Sequence, residues 1–123
     1  MSSFAEIEWT RAQRALESAR LLAATDPDSA ASRAYYAAFH ALTAFFAVRG
    51  QTFTRHAAIR AALHRDLVQP GILSPESGRT FDYLMDLRET GDYGGLARVS
   101  EEDANACLAK AEQFVTALRS LQS

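Results

Sequence analysis

The sequence predicts an all-α protein, a bundle of four long helices and one short helix. Alanine supplies 24 of the 123 residues and proline only three, and both counts favour helix. No stretch of useful length alternates apolar and polar residues as a half-buried strand does. Because no repeat, low-complexity tract or linker interrupts the chain, residues 1–123 are predicted to form a single domain.

The first two helices are bounded by clear start and stop signals. Ser3 and Glu6 have the spacing of a capping box, so the first helix is predicted to begin at Ser3 and end near residue 24. Asp26 offers a carboxylate as N-cap, and Pro27 suits the first position of the second helix. Gly50 is a natural residue to follow the end of that helix at residue 49.

The other three helices have similar signals. Thr54 is the predicted cap of a short third helix that ends near residue 69. Ser74 and Pro75 repeat the cap-and-proline pattern and open a fourth helix that ends near residue 90. A loop of glycines is predicted next, at Gly91, Gly94 and Gly95. Ser100 with Asp103 then opens a fifth helix.

Charge is distributed unevenly along the chain. The net charge of −2 argues against a protein that coats nucleic acid without specificity. Residues 29–65 nevertheless carry five arginines and no acid, whereas residues 66–123 carry ten acids and five basic residues. Two interpretations stay open. The basic middle attracts a phosphate-bearing ligand or an acidic partner, or it packs against the acidic C-terminal half.

Several classes of protein are excluded by missing features. No apolar run reaches the roughly 18 residues of a transmembrane helix, and residues 1–8 lack the basic start of a signal peptide. The single cysteine, Cys107, cannot form an intramolecular disulfide and is expected to be a buried, inert thiol. We find no phosphate-binding loop, dinucleotide fingerprint or zinc pattern. The sequence therefore predicts a cytoplasmic protein without metal, cofactor or membrane association.

The second helix carries chemistry on one face. Its apolar stripe predicts core and consists of Tyr35, Ala38, Phe39, Leu42 and Phe46. The opposite face places Arg33, Tyr36 and His40 at positions i, i+3 and i+7. Ala37 and Ala44 lie among them, and such small residues permit the close approach of another helix. We predict that this face meets a second subunit, with the three functional side chains in the seam.

The three side chains suit chemistry on a phosphate. Arginine offers a cationic fork, histidine exchanges a proton near neutral pH, and tyrosine donates to an anion or stacks on a base. A ribonuclease that cleaves through the 2′-hydroxyl needs a base, an acid and a cation, but no metal. In the alternative interpretation, Arg33 and His40 bond to carboxylates of a neighbouring helix, for example Asp82 or Asp86.

The third helix carries a second basic stripe. His56, Arg60 and His64 recur at intervals of four residues and therefore share a face. As metal ligands they form a weak pattern, because no HExxH motif and no acidic ligand accompanies them. The stripe either contacts a phosphate or is an ordinary solvated face.

The end of the fourth helix holds the remaining candidates. Arg88 and Asp92 are one helical turn apart, so we expect an ion pair between them. Tyr93 is followed by two glycines. Its side chain either packs over the end of the bundle or belongs to a mobile rim beside a site.

These residues together resemble a known family. The segment 32–40 reads SRAYYAAFH, and it is followed by His56, by Leu87-Arg88, by Asp92-Tyr93 and by a last helix that opens at 100–102. This pattern resembles the HEPN domain (higher eukaryotes and prokaryotes nucleotide-binding), in its small stand-alone prokaryotic branch. The resemblance implies an up-and-down four-helix bundle with an additional short helix, usually as a homodimer.

The resemblance also implies a function. Many HEPN proteins are encoded beside a minimal nucleotidyltransferase and form toxin–antitoxin pairs, in which the HEPN member is typically a metal-independent ribonuclease. Its active site uses an arginine followed four to six residues later by a histidine. Arg88 matches that arginine, but Asp92 and Tyr93 stand where the histidine is expected. Arg33 and His40 have six residues between them, on an earlier helix.

Because the histidine expected after Arg88 is absent, three interpretations of the function stay open. The protein cleaves RNA with a displaced motif, it binds a nucleotide or RNA without cutting, or it serves as a structural dimer that neutralises a partner nucleotidyltransferase. Arg49 and His56 fit the same spacing across Gly50. The predicted catalytic residues are Arg33, His40 and Arg88, and the predicted binding residues are Tyr36, His56, Arg60, Asp92 and Tyr93.

Overall fold

The structure is a computed structural model that describes residues 3–94 and 98–122, apart from the side chain of Tyr93. Gly95 and the Tyr93 side chain, predicted to lie in a loop near a site, are outside the described residues. The described part is helical and contains no strand, which confirms the all-α prediction. The helices are α1 (Phe4–Leu22), α2 (Pro27–Val48), α3 (His56–Ala62), α4 (Pro75–Tyr93) and α5 (Glu101–Gln122). A π-helical segment, Leu63–Val68, continues α3.

The predicted caps form at four helix starts. The side chains of Ser3, Asp26 and Ser74 each accept a hydrogen bond from the backbone N–H three residues later. Ser100 does the same at the start of α5, over 3.0 Å. Gly50 follows α2 with a φ of 78°, a conformation that favours glycine. Local sequence signals therefore fix where these helices begin and where α2 ends.

Two predicted boundaries are wrong. Thr54 does not cap α3, because Arg55 occupies the N-cap position and makes no side-chain cap bond. Gly91 lies inside α4 rather than in a loop. A Cβ atom on Gly91 would stand 2.8 Å from the backbone oxygen of Asp28. Glycine therefore lets the last turn of α4 pack directly on the first turn of α2.

Helix α2 is the centre of the bundle. It contacts α1, α4 and α5, the other three long helices. Its predicted apolar stripe is confirmed as core, with four members buried and Phe39 partly exposed. Because α2 is covered on most sides, its few polar side chains must either find partners in neighbouring helices or reach the surface between them.

The predicted contact of the small α2 residues with a second subunit is wrong. Ala37 and Ala44 are both 0% exposed within the single chain, so no second subunit reaches them. Among the helices of the described chain, α1 makes the most extensive contact with α2. The small residues permit close packing inside the bundle instead of between subunits. A homodimer stays a prediction, and so does the position of Arg33, Tyr36 and His40 at its interface, since all three side chains are partly exposed. No helix in the described ranges has the length and apolar character needed to cross a membrane.

Candidate active site

Four side chains from three helices meet around the ring of Tyr36. The guanidinium carbons of Arg33 and Arg88 lie 5.0 and 5.5 Å from the centre of the Tyr36 ring. The imidazole centres of His56 and His40 lie 5.9 and 6.2 Å from it. We call these five residues the Tyr36 cluster. Helix α2 supplies three members on one face, α3 supplies His56 and α4 supplies Arg88, so the fold brings the predicted catalytic residues together.

His40 is held by a carboxylate that the sequence analysis did not single out. Its Nδ1 atom lies 2.6 Å from Oε2 of Glu8 on α1. Glu8 is only 3% exposed, and Arg11 donates to its other oxygen over 2.7 Å. The sequence left open an alternative in which His40 bonds to a carboxylate of a neighbouring helix, for example Asp82 or Asp86. His40 does bond to such a carboxylate, but the carboxylate belongs to Glu8 of α1.

One signal in the sequence could have revealed Glu8. The spacing of apolar residues predicts a buried face of α1 that includes Ile7, Ala12 and Leu16, but Ile7 is 42% exposed and Glu8 takes its place on the buried side. Glu8 lies four and eight residues before Ala12 and Leu16, which are buried. A carboxylate at helical spacing on a core-facing stripe is rare unless it is paired, so the position itself points to a partner.

His56 is held in a different way. Its Nδ1 atom lies 2.6 Å from the hydroxyl of Tyr35, a residue with 0% exposure. Burial raises the pKa of Tyr35 well above its ordinary value, so the phenol stays protonated. Burial, and then the positive charge of Arg88, lower the pKa of His56 below 6.5. Among the described residues, Nδ1 of His56 is the hydrogen-bond partner of this buried hydroxyl, so we assign the phenol as the donor to Nδ1 and the imidazole proton to Nε2.

The two histidines are consequently held in opposite tautomers. A carboxylate can only accept a hydrogen bond, so the Nδ1 atom of His40 carries a proton and its Nε2 atom is the one that takes up or releases another. In His56 the Nε2 atom donates. A neutral His40 ring presents the lone pair of its Nε2 atom, and His56 donates through Nε2. With two arginines beside them, this set suits the oxygen atoms of a phosphodiester.

The His56 pKa leads to a prediction for stability. Because the folded pKa lies below the ordinary value of 6.5, the unfolded chain binds a proton first as the pH falls. The contribution of His56 to the free energy of unfolding is complete above about pH 6.5 and is lost as the pH drops below it. Urea denaturation of wild type and His56→Phe across this range measures the effect. We expect a shallower pH dependence in the variant, and equal slopes would contradict the assignment.

Arg88 is a largely enclosed cation of the cluster. Its side chain is 15% exposed and pairs with Asp92 over 3.3 Å, which confirms the expected ion pair. Its guanidinium carbon lies 5.4 Å from the centre of the Tyr35 ring as well as near Tyr36. The aromatic rings and the carboxylate therefore hold the guanidinium in one place, where it can serve as a preorganised phosphate contact.

An open groove of about 580 Å³ adjoins the cluster, between α3 and α4. Its lining consists of His56, Ala57, Arg60, Ala61, His64, Met85, Arg88 and Glu89. Two of the basic side chains are already paired, because Arg60 and His64 lie 2.8 and 3.1 Å from the same oxygen of Asp82. The internal pairing of the basic middle with the acidic C-terminal half is confirmed for these two side chains, and the attraction of a phosphate-bearing ligand stays a prediction. Part of it pairs internally, and part of it lines a surface groove.

Metal ligation and thiol chemistry find little support in the described part of the chain. There, no three histidine, cysteine, aspartate or glutamate side chains are grouped so that they could hold a metal ion. Cys107 is buried, and burial raises the pKa of its thiol to about 11. The thiol is therefore protonated at neutral pH and a poor nucleophile, as the sequence predicted.

Comparison with known proteins decides the family. The family model of the HEPN domain matches residues 5–121. The chain belongs to the HEPN family. It is also similar to a UPF0332 protein of Thermotoga maritima, with 35% identity over 112 residues, which cover 90% of this chain and 85% of that protein. The resemblance carried by the SRAYYAAFH segment is thereby confirmed, and the match extends over all five helices.

Proposed function

We propose that this HEPN protein is a metal-independent endoribonuclease that works within a toxin–antitoxin or defence-type pair. The observation that carries the proposal is the Tyr36 cluster. It joins two arginines to a histidine whose Nδ1 atom is bonded to a buried carboxylate. The arrangement supplies the base and the cations that cleavage through a 2′-hydroxyl requires.

Each residue has a role in the proposed reaction. The Nε2 atom of His40 takes the proton of the 2′-hydroxyl, whose oxygen attacks phosphorus and forms a 2′,3′-cyclic phosphate. The 5′-oxygen leaves and takes a proton from water, and the resulting hydroxide recovers the proton from His40. Arg33 and Arg88 stabilise the charge on the phosphorane oxygens, and the Nε2–H group of His56 donates to one of them.

The decisive experiment measures cleavage of end-labelled single-stranded RNA in the presence of a chelator. We expect His40→Ala and Arg33→Ala each to slow cleavage at least about 100-fold. Arg49→Ala is a matched control, because Arg49 also lies on an aromatic ring at the end of α2, 4.3 Å from the centre of Phe45. It should cleave as wild type does. Equal cleavage by His40→Ala and wild type would mean that the activity does not belong to this site.

A second candidate function is favoured by the residues after Arg88. Asp92 occupies the region where the usual histidine of the family stands, and it pairs with Arg88. In this alternative the cluster binds a nucleotide, RNA or a partner nucleotidyltransferase without cutting. RNA binding that is lost in Arg88→Ala, together with no cleavage by wild type, would favour this candidate over the first.

A further inference from the structure

Glu8 has an environment that a purely apolar packing role does not explain. The residue lies on the core-facing side of α1 and is 3% exposed, so its carboxylate has given up nearly all contact with water. Such a loss of hydration is strongly unfavourable unless charged or polar partners compensate it. Arg11 and His40 are those partners, one on each carboxylate oxygen. Arg11 lies one turn along α1, whereas His40 is brought from α2 by the fold.

The bond to His40 fixes the chemistry of the imidazole. Glu8 accepts from the Nδ1–H group, so the lone pair of the neutral ring is on Nε2. The carboxylate is nearly enclosed, at 4% side-chain exposure, whereas the imidazole is 23% exposed. The proton of the histidine is therefore held on the inner side of the pair, and proton exchange takes place at the other nitrogen. A free imidazole has no such restriction.

We infer that Glu8 is a positioning residue, whose buried carboxylate orients His40 and keeps its Nε2 atom ready to accept the 2′-hydroxyl proton. The inference rests on the proposed function of His40 as the base. Glu8 does not touch the substrate and acts through the imidazole alone. It holds the ring in one orientation and stabilises the imidazolium that forms when Nε2 takes the proton.

The tautomer of His40 gives a test that does not depend on activity. Nitrogen-15 NMR of the imidazole groups at about pH 9, where an ordinary imidazole is neutral, distinguishes a protonated Nδ1 from a protonated Nε2. We expect His40 of the wild-type protein to carry its proton on Nδ1. In Glu8→Gln, whose amide can either donate or accept, we expect a mixture of both tautomers. A wild-type His40 protonated on Nε2 would overturn the inference without any variant.

Kinetics separate positioning from a structural link between helices. In Glu8→Gln we expect kcat for RNA cleavage to fall at least about tenfold, with KM within twofold of wild type. Gln122→Ala is the matched structural control, since it removes another inter-helix hydrogen bond, from Trp9 Nε1 to the Gln122 amide oxygen over 2.9 Å. Its kcat should be that of wild type. An unchanged kcat in Glu8→Gln would overturn the inference.

The two proposals fail in different ways. Wild-type protein that cleaves no RNA, yet has His40 protonated on Nδ1, contradicts the proposed function and reduces Glu8 to a structural partner. Wild-type protein that cleaves RNA through His40, yet keeps its kcat in Glu8→Gln, contradicts the positioning role alone. Glu8→Asp adds a graded outcome, because its shorter side chain keeps the charge but cannot reach His40 at the same distance. Its kcat is expected to lie below that of wild type.

Discussion

Replacing Arg88 with alanine is expected to slow RNA cleavage at least about 100-fold and to lower the free energy of unfolding by about 1–3 kcal/mol. The kinetic loss follows from the removal of a cation held 5.5 Å from the Tyr36 ring centre, in the middle of the cluster. The loss of stability follows because the side chain is 15% exposed and its removal leaves Asp92 without this ion pair. Single-turnover cleavage and urea denaturation measure the two effects separately.

Arg88→Lys separates the effect of the positive charge from the effect of the planar guanidinium group. Lysine keeps the positive charge but loses the planar group that lies over the Tyr35 and Tyr36 rings. We expect it to recover part of the cleavage rate and most of the stability. If Arg88→Ala cleaved RNA within threefold of wild type while losing stability, Arg88 would be a packing residue. The phosphate would then have to be held by Arg33 alone.

Most of the fold could be predicted because its signals are local. Ser3, Asp26, Ser74 and Ser100 each cap a helix through an atom three residues away, and nothing distant in sequence is needed for this. Gly91, like Thr54, is an exception. A glycine near a helix end favours a loop, but here the absent side chain makes room for the backbone of Asp28. Only the packing of α4 on α2 shows that Gly91 permits a close helix contact and does not end the helix in a loop.

Only the part of the site that lies on a single helix could be predicted from the sequence. Arg33, Tyr36 and His40 share a face of α2 because of helical periodicity, so their proximity follows from the sequence. The contact of Arg88 with the same ring depends on the packing of α4 against α2, for which no local pattern exists. The bond between Glu8 and His40 spans 32 residues and likewise depends on tertiary packing. The only feature of the sequence that indicated this bond was an acidic residue, Glu8, on the apolar stripe of α1.

Charge patterning left two interpretations open, and the structure confirms internal pairing for only part of the basic segment. Arg60 and His64 share a carboxylate oxygen of Asp82, so the acidic C-terminal half neutralises this part of the segment. Arg33 lies instead over the Tyr36 ring and is in none of the ion pairs found in the described residues. Net charge by itself could not separate these cases, because it does not tell which carboxylates the fold brings close.

Ala37→Glu is expected to lower the free energy of unfolding by about 3–5 kcal/mol, which is enough to unfold many domains of this size. Ala37 is 0% exposed in the single chain, so the new carboxylate would be buried without a partner and with no space for its side chain. Circular dichroism at 222 nm during urea denaturation measures the loss. If Ala37 lay at a subunit seam, the same substitution would dissociate a dimer and leave helicity intact.

Ala109→Glu is the matched control for this prediction. Ala109 is an exposed alanine in α5, so the same change of side chain there remains in water. Its free energy of unfolding should stay within about 0.5 kcal/mol of wild type. A folded Ala37→Glu protein of wild-type stability that elutes at a smaller size would contradict the burial of this residue. Loss of helicity in Ala37→Glu alone would place Ala37 inside one chain, so that a dimer interface would have to be formed by side chains that the single chain leaves exposed.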